Sequence, residues 1–403
     1  MTDDPAPGVY EFFAGGGMAR AGLGPGWRTL FANDFDPMKG RAYADNWGAE
    51  HLVVGDVHAL TPQDLPGRAA LAWASSPCQD LSLAGRRGGL GGARSSAFFG
   101  FWRLMQALDN DGRAPAVVVI ENVTGLFTSN GGEDFRVLCE VLAAAGYGYG
   151  AVELDAADFT PQSRPRMFMI ASRCDGVGLV DAAPSDHLHS KRLCAAHDRL
   201  PPALRTGWRW WRLPPPPRRN TRLADLLEPD ADVPWRTAAD TDRLLDQLAP
   251  LQRLRLDQIA ARTAITPGER AVGALFRRTR TTAEGRFQRA EVRFDGLAGC
   301  LRTSGGGSSR QFLLVVEGGQ VRSRHMTARE AARLMGLPDS YRLPSATTAA
   351  LHLVGDGVAV PVVRWLSEHL LRPLATAALT DRQADLPPPP IPPILKPLRK
   401  VLP

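Results

Sequence analysis

The chain has 403 residues, 44% of them hydrophobic and 22% charged, with a formal net charge of +6. That length exceeds one compact core and the composition is ordinarily globular, which excludes a disordered chain and predicts at least two domains. Five widely spaced cysteines with no CxxC pair exclude a disulfide framework and a zinc ribbon; with an acidic N-terminus and no apolar run as long as a membrane span, they predict a reducing, cytoplasmic setting.

In chain order, short apolar runs are predicted as strands at Val9–Phe13, Thr29–Asn33, Leu52–Val54, Ala69–Ala74, Ala116–Ile120, Tyr149–Leu154 and Met167–Ala171. Helical patterns at Ser95–Leu108 and Glu133–Ala145 alternate with them, the second stopped by Gly146. Such alternation predicts an α/β fold with a largely parallel sheet, whose ligands bind at the carboxyl ends of the strands.

The first strand runs into VYEFFAGGGMARAGLG, residues Val9 to Gly24, where glycines permit close backbone approach to a ligand. A nicotinamide fingerprint from Gly15 and Gly17 needs glycine where Arg20 stands, which disfavours a dinucleotide. Asp34 and Asp56 end the second and third strands. They suit a ribose diol and an adenine amino group, or they only cap those strands. A nucleoside without a pyrophosphate fits S-adenosylmethionine better than NAD. Cys78 follows the fourth strand in SSPCQD, in a polar loop where a merely structural thiol would have apolar neighbours. The fifth strand, VVVIENV, delivers Glu121 at its end, either as a proton-holding acid in buried surroundings or as a solvated strand terminus. Arg164 and Arg166, two residues apart in QSRPR, point to one side if extended, toward a carbonyl or phosphate, or form a surface charge pair.

From about Cys174 periodicity fades. Residues Arg173 to Val321 hold 24 Lys and Arg against 17 Asp and Glu, whereas the rest of the chain holds 24 against 25. A basic middle of this kind suits a polyanion, or reflects ordinary arginine-rich solvated faces. Trp208, Trp210 and Trp211, interleaved with Arg209 and Arg212, predict either a stacking groove or, more simply, a hydrophobic mini-core. Regularity returns at MTAREAARLMGLPDSY, where Thr327 and Glu330 form a capping-box pattern, and a last helix is predicted at Val362–Leu371. The terminal LPPPPIPPILKPLRKVLP reads as an extended tail.

Taken as a series, FAGGG, Asp34, GDV, PCQ, ENV, QSRPR, TAREAARLMGLPDSY and GDGV resemble the DNA (cytosine-5)-methyltransferase family. The resemblance implies a Rossmann-like S-adenosylmethionine-dependent methyltransferase sheet with a second, smaller, irregular target-recognition domain. Its boundaries would be 1–172 catalytic, 173–321 recognition, 322–376 hinge and return, and 377–403 tail. It implies Cys78 as nucleophile, Glu121 at cytosine N3, Arg166 near O2, and Arg164 as support and positive neighbour of the thiol. Cofactor contacts would come from Phe13, Ala14, Gly15, Gly17, Asp34, Phe35, Asp56, Val57, Pro77, Asp356 and Val358. DNA contacts would come from Gln79, Ser82, Arg209, Arg212, Arg302 and Ser304. The implied reaction consumes S-adenosylmethionine, yields S-adenosylhomocysteine, needs no metal, and acts on a cytosine flipped out of double-stranded DNA. Neither the base that removes the C5 proton nor the target sequence is identified. A monomer is expected, and a companion restriction endonuclease is compatible with this setting. The rival readings are a transfer-RNA cytosine-5 methyltransferase and an inactive DNA-binding protein on the same scaffold. The chain departs from the family pattern at Glu11, at Gly17-Met18, at Ser75-Ser76, and at Asp356 in place of the common asparagine.

Overall fold

A computed structural model describes residues 6–76, 97–282, 285–302 and 310–384. Seven strands form the main sheet: β1 (Gly8–Phe12), β2 (Arg28–Asp34), β3 (Leu52–Val54), β4 (Leu71–Ala74), β5 (Val117–Val123), β6 (Gly148–Asp155) and β7 (Pro165–Ser172). Their order is β3-β2-β1-β4-β5-β7-β6. β1 to β5 pair in parallel, while β7 runs antiparallel to both β5 and β6. Only residues 156–164 join β6 to β7. That is too short for a parallel crossover, so the chain turns back on itself.

Alternation along the strands sends side chains to two cores. Val9, Trp73, Val117 and Val119 face helix Met18–Leu23 and the C-terminal helices. Tyr10, Phe12, Val118 and Ile120 face helices Ala97–Asn110 and Glu133–Ala144. Both faces are therefore covered, which is why these strands are so uniformly apolar. The C-terminal return is close: a Cβ at Gly22 would overlap Val363 on helix Val360–Leu366.

A second sheet has the order β11-β10-β12-β13, built from β10 (Arg270–Thr282), β11 (Gly285–Arg293), β12 (Phe312–Glu317) and β13 (Gln320–His325). One face packs on helices Ala238–Leu245 and Pro250–Ile265 through Leu244, Leu245, Leu256, Leu275, Phe312 and Leu314. The opposite face, with Val272, Ala274, Leu313 and Val315, joins the main core.

Three expectations change. Residues just after 173 do not open the second body: β8 (Val180–Asp181) pairs with β9 (Trp210–Trp211), and this segment lies along the β6 edge. The reason is aromatic burial. Trp211 is fully buried and donates to the carbonyls of Gly150 and Ile170, and Trp208 meets Phe135, Tyr149 and Trp210 edge-on, the mini-core rather than a groove. Secondly, β13 crosses the expected 321/322 boundary, because Val321 and Arg324 pair with β12. Thirdly, the last helical run extends beyond Leu371 and residue 376, through Ser367–Leu371 into Arg372–Ala384, its inner face buried at Leu370, Leu371, Leu374 and Ala375. The run Thr347–Leu379 is apolar and long enough to cross a membrane, but its most apolar window is 61% buried inside the protein, as core helices are.

Candidate functional site

The carboxyl ends of β1 to β5 meet along one rim of the main sheet. β1 ends at Phe12, and Phe13 follows at φ 56, left-handed for a residue with a side chain. Strain of this kind persists only where surroundings over-determine it. The surroundings here are dense. Gly15 N–H donates to Asp34 Oδ2 at 2.7 Å. Trp47 Nε1 and Tyr341 Oη both donate to Gly16 O, at 2.9 and 2.7 Å. A Cβ at Gly16 would overlap the Tyr341 hydroxyl, so glycine there is a packing requirement. Gly17, at φ 76, opens helix Met18–Leu23. Segment Gly355–Val358 crosses the same helix start, where a Cβ at Gly357 would overlap Met18. Ala14 and Val358 are both buried in this region.

Asp34 is buried, and each of its oxygens already holds a backbone N–H, from Gly15 and from Asp36. Burial raises its pKa. Each oxygen retains a second lone pair for a ligand hydroxyl. Phe35, the next residue, is 73% exposed. Asp56 is exposed and caps the turn Val57–Ala59, its Oδ1 accepting from His58 N–H at 2.9 Å; Val57 is buried beneath it. A Cβ at Gly15 or Gly55 would meet nothing within 4 Å, so open space borders both. Asp356 reaches across to Lys39 at 2.7 Å. A rim with open space, two carboxylates and one exposed ring fits a nucleoside-bearing cofactor.

On the other side of β1, Ser75 N–H donates to Phe12 O and Asn122 Nδ2 donates to Ser76 O, at 3.3 Å each. The loop that carries the cysteine is thus rooted between the ends of β1 and β5. Pro77, Cys78, Gln79, Ser82 and Ser304 lie outside the described residues. Glu121 is buried and pairs with Arg166 Nε at 3.1 Å. Cross-strand register explains the pair: β5 and β7 run antiparallel, with Val123 opposite Arg166 and Glu121 opposite Phe168.

Arg164 is more deeply buried than Arg166. It is 2% exposed, and its guanidinium donates to Leu301 O at 2.8 Å, Gly355 O at 2.9 Å and Gly357 O at 2.6 Å. Burial lowers its pKa to about 10, and the positive charge of Arg166 adds to that. The surface charge-pair reading is thereby corrected. Gln162, also buried, accepts from Leu301 N–H and donates to Leu334 O. The QSR sequence therefore holds both backbone groups of Leu301, a clamp the sequence reading missed because only the arginines suggested chemistry.

The expected DNA contacts at Arg209 and Arg212 are not brought to this rim. Arg209 stacks on Trp211 and donates to Cys174 O at 2.5 Å, and Arg212 donates to Gly178 O, both on the β6 edge. The aromatic cluster draws Arg209 onto a backbone carbonyl, while Arg212 stays exposed. Arg302 is exposed at the end of the clamped segment. Among the described residues no group of three His, Cys, Asp or Glu stands close enough to hold a metal ion.

Comparison with known proteins adds a family match over residues 8–372, described as C-5 cytosine-specific DNA methylase. Type II methyltransferase M.HhaI of Haemophilus parahaemolyticus is 25% identical over 367 residues, covering 89% of this chain and 93% of that protein. Type II methyltransferase M.NlaX of Neisseria lactamica is 27% identical over 379 residues, covering 93% and 99%. Among solved structures, the S. pombe Dnmt2 methyltransferase superposes with a TM-score of 0.57 at 20% identity, covering 91% of this chain and 99% of that one.

Proposed function

Starting from the chain's membership of the C-5 cytosine-specific DNA methylase family, we propose that it methylates C5 of a cytosine flipped out of a specific double-stranded DNA sequence, through a covalent bond between Cys78 and C6. Cytosine C5 is too weakly nucleophilic to take a methyl group unaided, so a thiolate adds first to C6. Negative charge then develops toward N3 and O2. Glu121, buried and paired with Arg166, serves N3, and the Arg166 guanidinium beside it serves O2. Once C5 carries the methyl group, loss of the C5 proton restores the ring double bond and expels the Cys78 thiolate. Arg164, a buried cation held on three carbonyls and 3.4 Å from Cys300 Sγ, is the residue we assign as positive neighbour of the Cys78 thiol, which itself lies outside the described residues.

The residues of the rim fit S-adenosylmethionine, which when bound supplies an electrophilic methyl group. Asp34 takes the ribose, Asp56 the adenine amino group, and the exposed Phe35 ring offers a stacking face. The open space at Gly15 admits a ligand against the backbone. One cleft and one flipped base suffice, so we assign a monomer. A companion endonuclease would accompany it if it belongs to a restriction-modification pair, as the type II names of its relatives suggest.

The Glu121–Arg166 pair, set beside the root of the Cys78 loop, carries this reading. Duplex DNA containing 5-fluorocytosine, incubated with the protein and S-adenosylmethionine, is expected to yield a covalent adduct that resists denaturation and vanishes in Cys78→Ala. No adduct on any DNA would overturn the reading. Adducts on transfer RNA alone would move the substrate to RNA.

A further inference from the structure

β10 and β11 outrun their sheet. β12 pairs with β10 only over Arg270–Leu275, and Ala290 on β11 is pinned by a bridge to Leu248. Beyond that point the register continues as a ribbon of two strands, from Arg278 opposite Arg289 to Thr282 opposite Gly285. These five pairs extend roughly 17 Å. Arg278 to Thr281 and Gly285 to Arg289 are all exposed. A bare two-stranded ribbon is marginally stable in water, so its side chains require a reason.

Four of the ten residues in these pairs are arginines. Between Phe276 and Glu291 the sequence holds five arginines and two glutamates. Opposed residues of an antiparallel pair share a face, which places Arg278, Arg289 and Arg280 together with Phe287. Arg278 and Arg280 share one carboxylate, Glu291, at 3.3 and 2.7 Å. Arg289 lies over the Phe287 ring and faces Arg278 directly, a like-charge pair that destabilises the ribbon by itself. Arg286 points to the other face and has no ion-pair partner among the described residues. Cations are thus displayed on both faces of a narrow blade. Two strands about 4.8 Å apart fit within a duplex major groove about 12 Å wide, whose walls are phosphates.

We propose that the β10–β11 ribbon grips the phosphate walls of a DNA duplex and supplies sequence-independent affinity rather than base selection. This rests on the duplex-DNA substrate proposed above. All the ribbon's basic residues are arginines, which suit bidentate pairing with phosphate oxygens.

The test uses the full chain, a fluorescent 30-base-pair duplex of arbitrary sequence, and anisotropy titrations from 50 to 200 mM salt. Losing two phosphate contacts in Arg286→Gln/Arg289→Gln is expected to weaken binding at least tenfold at low salt and to reduce the salt slope by about 2. Bisulfite sequencing of methylated DNA should then return the same target site at lower extent. Unchanged affinity and slope would overturn the proposal, and so would an altered target site, which would make the ribbon a base reader. Because both residues are exposed and off the rim, S-adenosylmethionine binding and the thermal midpoint should match wild type; a shifted midpoint is answered by Arg286→Lys/Arg289→Lys, which restores binding if charge is the cause and overturns the proposal if it does not. Wild type that binds no duplex fails the substrate reading itself, and is told apart by the absence of the 5-fluorocytosine adduct.

Discussion

Glu11 lies beneath the glycine turn, where Oε1 accepts from Arg20 N–H at 3.3 Å and Oε2 has no partner among the described residues. Arg20 itself donates to Tyr43 Oη and contacts His51, so its charge is shared. Burial pushes the Glu11 carboxyl from 4.5 up to about 8. The folded state therefore holds a proton that the unfolded chain has released between those values, and stability falls as pH rises through that window, levelling off above it. The slope is at most about 1.4 kcal/mol per pH unit. Urea titrations of wild type and Glu11→Gln at pH 5.5 and 8 should show the wild type losing stability relative to the variant as pH rises, over and above the response that groups such as His189 and His325 give to both. A parallel pH response in both would refute the assignment. Of the residues on this rim, Asp34, Glu121 and Arg166 were legible because charged groups after apolar strands are conspicuous. The part Glu11 plays was not, since nothing local marks a carboxylate that is sealed by a helix folding over it.

The glycine turn is held as an element by two aromatic donors from distant segments, Trp47 and Tyr341, on one carbonyl. Tyr341→Phe removes one donor and leaves the other, a loss of about 1 kcal/mol that should weaken S-adenosylmethionine binding about fivefold by calorimetry. Gly16→Ala should weaken it further, because the added methyl overlaps the Tyr341 hydroxyl. If Gly16→Ala binds as tightly as wild type, the turn does not set the cofactor rim. Strands β1 to β7 were legible, most of them because strands covered on both faces leave near-continuous apolar runs. β10 and β11 were not. Their outer halves carry arginines on both faces, so no alternation of apolar and polar residues exists to be read.

Across the whole molecule, the two bodies are joined by a buried knot. Arg324 on β13 pairs with Glu330 through two bonds, at 2.8 and 2.6 Å, with side chains 0% and 1% exposed. Glu330 also accepts from Thr327 N–H and from Glu228 N–H. Arg324→Met would strand that carboxylate inside, with an expected loss of about 3–5 kcal/mol. Chemical denaturation should show it as a lower midpoint, and an unchanged midpoint would mean the knot is dispensable. The capping-box pattern at Thr327 and Glu330 was legible, but its pairing with Arg324 required the second sheet to be in place. The same holds for residues 174–213, whose attachment to the β6 edge depends on tryptophans that meet partners far along the chain.

The grip on Leu301 consists of Gln162 and Arg164 on its N–H and C=O, with Ser163 N–H on Ala298 O and Ala298 N–H on Pro161 O beside it. Each of these contacts reads main chain, not side-chain identity. Such a joint fixes the buried Ala298 and Leu301 but leaves the exposed Arg302 next to it open to exchange, so on the proposed DNA-methylating function the chain could drift to a new target sequence without rebuilding the catalytic body.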